Sequence, residues 1–528
     1  MRVFAPSAFR YPPQVGVDYP AGWQDMPQAM ADTLLAAGYV ETQDSSAAAA
    51  HNAVQRDRNS NSLPNPLDAA AVRKVGPRIR LVASHGNAMS PSTSVEPSTT
   101  QSNGTTQTSA TNEHMFTYGC DARDVRFLIC NGVQNATGYI VANGNALQVH
   151  AALLPNGGGN EMSEISFPGC LGAPISADPN GGKTAYAIGD KATVWSAPVN
   201  YSLQSAGKQQ SYRIHVKVSA GQKWPLTPTA RYNSGASKTT DVVYRTTAGD
   251  GTDWSGSNAG MSSAYAFGAS ALSLQFAAVI GEQVTAGPTV LVIGDSIGGG
   301  IRDDVVGRGF VVRACEAAGA IVHNSCLPGS SFGGYYSFGT IARDIAPYVD
   351  HIFCHTGVNG WSSGSMTYVA DDTTQSGIRY QMIQLIKAMC RPGQTITFST
   401  QLPFPNGTGA GAGTLPAGDY AQQRPNNQEA ARISINNWMR DRTANGMLAW
   451  AASRFPGITV RVFDGCLTLE RHWNGTTATP ITLDGNGQQV LGNGGYILIN
   501  STFEGLHPNT LGNQLLGDAL AAQNLFTL

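Results

Sequence analysis

From Pro288 to its end the chain alternates continuous apolar runs of strand length with amphipathic stretches of helical length, and few folds satisfy that alternation. PTVLVIGDS, AIVHNS (320–325), HIFCHTG (351–357), TITFSTQ (395–401) and ITVRVFDG (458–465) read as strands covered on both faces. GIRYQMIQLIKAM, NQEAARISINNWMRDRTA and the terminal TLGNQLLGDALAAQNLF carry helical periodicity. Helices on both faces of a parallel sheet give a three-layer α/β domain over residues 287–528.

The remaining sequence differs in rhythm, and 528 residues exceed one ordinary core, so several modules are expected. Residues 115–286 read as an all-β sandwich or jelly roll. SYRIHVKV there sets Tyr212, Ile214, Val216 and Val218 on one face and Arg213, His215 and Lys217 on the other, and ALSLQF repeats the alternation. Asn143-Gly144, between two apolar runs, predicts a hairpin turn. Trp195, Trp224 and Trp254 fit either the core or a surface that stacks on sugar rings. Residues 44–114, rich in Ser, Thr, Asn, Ala and Pro, read as a linker or extended arm. Within them VRKVGPRIRLVAS supplies one strand, open to pairing with a neighbouring chain. Residues 1–43 form a small N-terminal arm with a short helix around Met30, Leu34 and Leu35.

Charged residues are only 13% of the chain and the net charge is -2, with no basic stripe to track phosphates, so nucleic acid is not expected as a partner. No run of 18 apolar residues could span a bilayer, and the N-terminus lacks a secretory h-region; neither membrane insertion nor Sec export is expected. The eight cysteines show no CxxC pair and no zinc spacing, which suggests structural thiols, Cys326 and Cys354 included, with no metal and no organic cofactor.

Gly294-Asp295-Ser296 stands at the end of the first strand of the α/β domain, where doubly wound sheets present their sites. Near the C-terminus Glu504 and His507 lie three apart ahead of the last helix, a spacing that lets a carboxylate hold an imidazole's far N–H. GDSIG also satisfies the G-x-S-x-G elbow of α/β-hydrolases, but that fold would place several strands ahead of the serine and separate acid from histidine widely.

In order along 288–528 come Gly294-Asp295-Ser296, Asn324-Ser-Cys-Leu-Pro-Gly329, Gly357-Val-Asn359 and Glu504-x-x-His507, and these blocks resemble the SGNH/GDSL hydrolase family. The resemblance implies a flavodoxin-like parallel sheet, Ser296 as nucleophile, His507 as its base and Glu504 as the orienting acid. It also implies an oxyanion hole from the backbone N–H groups of Ser296 and Gly329 and the side-chain amide of Asn359. The sequence departs from the family pattern at Glu504, where Asp is usual, and at Gly360, where Asp is common; Asp464 is the alternative acid. The implied chemistry is two-step acyl transfer with activity rising through pH of about 6 to 7 as the base loses its proton.

The pattern of residues 1–43, from YPAGWQDMP to LLAAGYVE, resembles modules that open tailed-bacteriophage head and virion proteins. Together the two resemblances imply a virion-borne esterase, made in the host cytoplasm, that removes O-acetyl groups from bacterial surface polysaccharide beside other virion proteins. A homotrimer would suit a fibre, though no heptad pattern supports one. The competing readings are a catalytically silent adsorption protein with the same fold and a cellular carbohydrate esterase.

Overall fold

The computed structural model describes residues 2–5, 9–10, 18–19 and 22–25, and from residue 78 onward all but 87–92, 96–108, 135–139, 154–162, 175–183, 200–202, 220–221, 229–271, 274–275, 302, 304–306, 339, 404–427, 474–477, 491–494, 499–506 and 527–528. It forms two units, Met1–Val75 and Gly76–Leu528. In the first, Arg2–Ala5 pairs antiparallel with Gly22–Asp25, and Phe9–Arg10 with Asp18–Tyr19. The helix expected around Met30, like Trp254, lies outside the described residues.

The α/β domain is built on β1 (Thr289–Gly294), β2 (Ile321–Asn324), β3 (His351–His355), β4 (Thr395–Ser399) and β5 (Thr459–Phe463), all parallel, in the order β5-β4-β3-β1-β2. Each coincides with a strand expected from its apolar run. The order turns back at β1, where the second strand lies on one side and the third on the other. That is the flavodoxin-like switch point, and ligands bind at such a point beyond the carboxyl ends of the strands. The helices that concern the site are α1 (Gly309–Ala317), α2 (Val358–Ser362), α3 (Ile378–Met389), α4 (Glu429–Arg440) and α5 (Thr510–Ala521). All six residues of β1 are buried, as a central strand covered on both faces requires.

Ahead of this domain lie antiparallel sheets. One has four strands, in the order Thr193–Trp195, Ala122–Cys130, Ala278–Gln283, Arg78–Leu81; another runs Leu171–Pro174, Thr184–Ile188, Leu147–Leu153, Gln209–Lys217, Ser109–Thr117. Phe127 of the first meets Phe116 and Tyr212 of the second at ring-centroid distances of 5.8 and 5.9 Å, with Phe276 4.7 Å from Phe127.

Three expectations are corrected. The stretch 44–114 is not wholly a linker, since Arg78–Leu81, His85–Gly86, Thr93–Val95 and the start of Ser109–Thr117 are strands. The strand in VRKVGPRIRLVAS pairs within its own chain, Leu81 opposite Ile280 and Arg78 opposite Gln283. Asn143-Gly144 does not close a hairpin. Ile140–Val141 pairs back on Val133–Gln134 and Leu147–Leu153 joins another sheet, while both turn amides are captured by the Asp190 carboxylate at 2.8 and 3.1 Å. On SYRIHVKV, Arg213 and His215 are buried along with Tyr212, Ile214, Val216 and Val218, and Lys217 is exposed. Of the tryptophans, Trp195 is half-buried and packs edge-on against Tyr348 of the α/β domain, 5.4 Å between centroids.

Candidate active site

β1 delivers Gly294, Asp295 and Ser296 to the switch point, and the backbone there is too crowded for side chains other than the ones present. A Cβ on Gly294 would lie 2.4 Å from the His355 carbonyl of β3, and one on Gly298 would lie 2.9 Å from Cys326 Sγ. Past the serine the chain makes one helical turn, with Gly299 N–H bonded to the Asp295 carbonyl at 2.9 Å and Ile301 N–H to that of Ser296 at 3.1 Å. Gly300 and Gly309, at φ of +64° and +53°, then cross so closely that a Cβ on the first would sit 2.3 Å from the amide nitrogen of the second. The glycine-rich SIGGG sequence at Ser296 is therefore a packing requirement of this turn.

His507 arrives from 211 positions away, just ahead of α5, and its Nε2 lies 2.8 Å from Ser296 Oγ. α5 is capped by Asn509, whose side chain accepts the Gly512 N–H at 2.9 Å, and it packs on α1. Contact is close because Gly517 has no side chain; a Cβ there would meet Arg313 Cβ at 2.9 Å and the Phe310 carbonyl at 3.1 Å. The helix after the Ser296 turn and the helix after His507 are thus pressed together.

A buried serine hydroxyl within hydrogen-bond reach of an imidazole at the mouth of a 2-1-3-4-5 sheet matches what the sequence blocks imply. It is the arrangement that the resemblance of those blocks to the SGNH/GDSL family leads one to expect. No protein-family model and no curated protein matches the chain. Among solved structures, the chain is similar to a lipolytic protein of the G-D-S-L family from Desulfitobacterium hafniense, at 14% identity and a TM-score of 0.27 over 45% of this chain and 99% of that one. It is also similar to a carbohydrate esterase family 2 enzyme with a carbohydrate binding domain from Corynascus thermopiles (11% identity, TM-score 0.25, 84% of this chain and 98% of that one). An acetyl xylan esterase from the rumen bacterium Butyrivibrio proteoclasticus aligns at 10% identity and a TM-score of 0.25 over 85% of this chain and 95% of that one.

In the α/β domain the second block folds as a turn. Ser330 N–H bonds to the Leu327 carbonyl at 3.0 Å, with Pro328 at the first corner and Gly329 at φ of +80° at the second, the residues a type II turn favours. Gly329, exposed at the turn's tip, carries one of the amides proposed as an oxyanion donor. Asn324 is an internal brace: its amide donates to the Gly307 carbonyl at 2.8 Å and its oxygen accepts the Cys326 N–H at 3.0 Å. Asn359 lies in the first turn of α2 after Gly357, whose φ of +135° suits glycine, and its Nδ2 donates to the Ser330 carbonyl at 2.9 Å. Gly360 fits where Asp is common because a Cβ there would press on Met366 Cβ at 3.1 Å.

Glu504 lies outside the described residues. Asp464, the alternative acid, is held elsewhere: Arg440 grips its two oxygens at 2.6 and 2.9 Å and Thr400 donates to one of them at 3.0 Å. Cys326 and Cys354 are buried, and loss of hydration raises both thiols well above their usual range, which disfavours the thiolate form in each. Among the described residues no three His, Cys, Asp or Glu are gathered as a metal ion would need, and no helix is long and apolar enough to cross a membrane.

Two features of the site were not singled out in the sequence. Asp295 is fully buried, and burial pushes its carboxyl up to about 7 against the opposing pull of nearby backbone amides, Ile297 N–H among them at 3.0 Å. Tyr335, on a single π-helical turn (Gly334–Phe338), puts its hydroxyl between β1 and the Leu327–Ser330 turn. π-helical turns are frequent at functional sites, but nothing in the local sequence distinguishes one from an ordinary helix.

Proposed function

We propose that residues 287–528 hydrolyse carboxylic esters by two-step acyl transfer through Ser296. The observation that carries this is the 2.8 Å contact between Ser296 Oγ and His507 Nε2. His507 takes the hydroxyl proton as Ser296 attacks the carbonyl, then returns it to the leaving alcohol. Water, activated by the same imidazole, releases the acid from the acyl-serine. Glu504 orients and stabilises the imidazolium. The N–H groups of Ser296 and Gly329 and the amide of Asn359 receive the oxyanion, where each preorganised donor contributes about 3 kcal/mol.

The finer reading is O-deacetylation of bacterial surface polysaccharide by a virion protein, with the antiparallel sheets as a sandwich beside the hydrolase and residues 1–43 as the attachment segment. The polar, Gly-rich PFPNGTGAGAGTLPAGDY between the blocks favours a small acyl group over a long chain. The test is acetate release from O-acetylated polysaccharide by wild type, Ser296→Ala and His507→Ala. Release that both substitutions abolish, with folding intact, supports the reading. No release from any acetylated glycan or simple acetyl ester leaves adsorption as the role.

A further inference from the structure

We infer that Ser330 and Tyr335 are positioning residues that hold the oxyanion donors in register with the nucleophile; this rests on the serine-esterase reading above. The carbonyl of Gly294, two residues before Ser296, is the junction. It accepts the Leu327 N–H at 2.8 Å, the Ser330 hydroxyl at 2.9 Å and the Tyr335 hydroxyl at 2.6 Å. Tyr335 Oη also receives the amides of Gly294 and Leu327, each at 3.1 Å, and lies 2.9 Å from the Ser325 carbonyl. One phenol therefore stitches the strand that carries the nucleophile to both ends of the segment leading into Gly329.

Ser330 extends the same link. Its hydroxyl is on Gly294, while its carbonyl receives Asn359 Nδ2 at 2.9 Å. That bond occupies one of the two amide hydrogens of Asn359 and fixes the plane of the amide, and with it the direction of the other hydrogen. Ser330 is thus one bond from Gly294 on one side, adjacent to Gly329 on the chain, and one bond from Asn359 on the other. Ser330 and Tyr335 are both buried to the point of zero exposure, so bulk water does not compete for the bonds their hydroxyls make. Neither lies among the donors proposed to touch the oxyanion, yet the two connect the segments that carry all three.

The experiment is steady-state kinetics of Ser330→Ala and Tyr335→Phe on an acetyl oxygen ester and its thionoacetyl counterpart, beside wild type and Ser296→Ala. An oxyanion hole out of register loses transition-state binding alone, so kcat is expected to fall about 10- to 100-fold with KM within about threefold. The preference for oxygen ester over thionoester is expected to shrink, and the pH inflection to stay in place because the base is untouched. Unchanged kcat in both folded variants, or a raised KM with unchanged kcat, overturns the inference. Should Ser330→Ala fail to fold, Tyr335→Phe, which keeps the ring volume, decides alone. Full activity in Ser296→Ala would sink the esterase reading itself; an inactive Ser296→Ala beside fully active Ser330→Ala and Tyr335→Phe sinks only the positioning role.

Discussion

Asp295 and Gly329 each do something their residue type alone explains. The unfolded Asp295 carboxyl has its ordinary value of 3.8, whereas the folded one holds its proton up to about 7. Between those values the native state binds the extra proton, so this group's contribution to stability is full in acid and is lost as pH rises through 7. His355 and His351, drawn down to about 4 and about 3 by burial, work the other way and favour the native state as pH rises. A difference measurement separates them. Asp295→Asn should match the wild-type melting temperature near pH 3, rise increasingly above it as pH passes 4, and exceed it by several degrees at pH 8, a gain worth at most about 4 kcal/mol for three pKa units. An equal effect at both pH values would show that Asp295 is ionised throughout. At Gly329, an alanine would oppose the φ of +80° and favour turning the Pro328–Gly329 peptide over, aiming its N–H elsewhere. Gly329→Ala should lower kcat about 10-fold or more with little change in melting temperature, since the turn's tip is exposed.

At the scale of elements, the parallel strands were legible because a strand buried on both faces must be apolar throughout, and a run such as TVLVIG has few other uses. Ser109–Thr117 was not, because an edge strand is held by its backbone bonds to Gln209–Lys217 and tolerates the polar SATNEH. The Asn-Gly signal misled for a related reason: it specifies a turn, not which strands flank it. Ser296 and His507 were legible through their motif blocks. Tyr335 and Ser330 were not, since their role depends on a carbonyl 36 or more positions away. The α1–α5 contact had no sequence signature either, yet it joins the helix that follows Ser296 to the one that follows His507. Gly517→Val should wedge the two helices apart, lowering the melting temperature, and kcat should fall at least 10-fold because a displacement near 1 Å costs about that or more. A variant that is destabilised yet keeps full kcat would show that the histidine is positioned independently of α5.

Across the whole of Gly76–Leu528, the antiparallel sheets and the α/β domain share structure. His85–Gly86 adds a sixth strand to the parallel sheet beside β2, directly after Arg78–Leu81 has paired into the four-stranded antiparallel sheet. Ser84 Oγ accepts the Val322 N–H of β2 at 3.0 Å, Arg80 reaches Asp350 at 3.5 Å and Trp195 packs on Tyr348. A Cβ on Gly119 would meet Ile321 at 2.5 Å, so the backbone itself lies against the first residue of β2. These contacts cross the boundary between 286 and 287 at which the sequence reading divides the chain. Cutting there would bare the edge of β2 and leave the Val322 amide without its serine, a loss of about 1 to 3 kcal/mol for that group alone. Residues 287–528 expressed alone should therefore melt several degrees below residues 76–528 and aggregate more readily, while the longer piece unfolds in one calorimetric transition. Two separate transitions for residues 76–528, with the upper one matching the short fragment, would mean that these contacts do not couple the parts and that the α/β domain is self-sufficient.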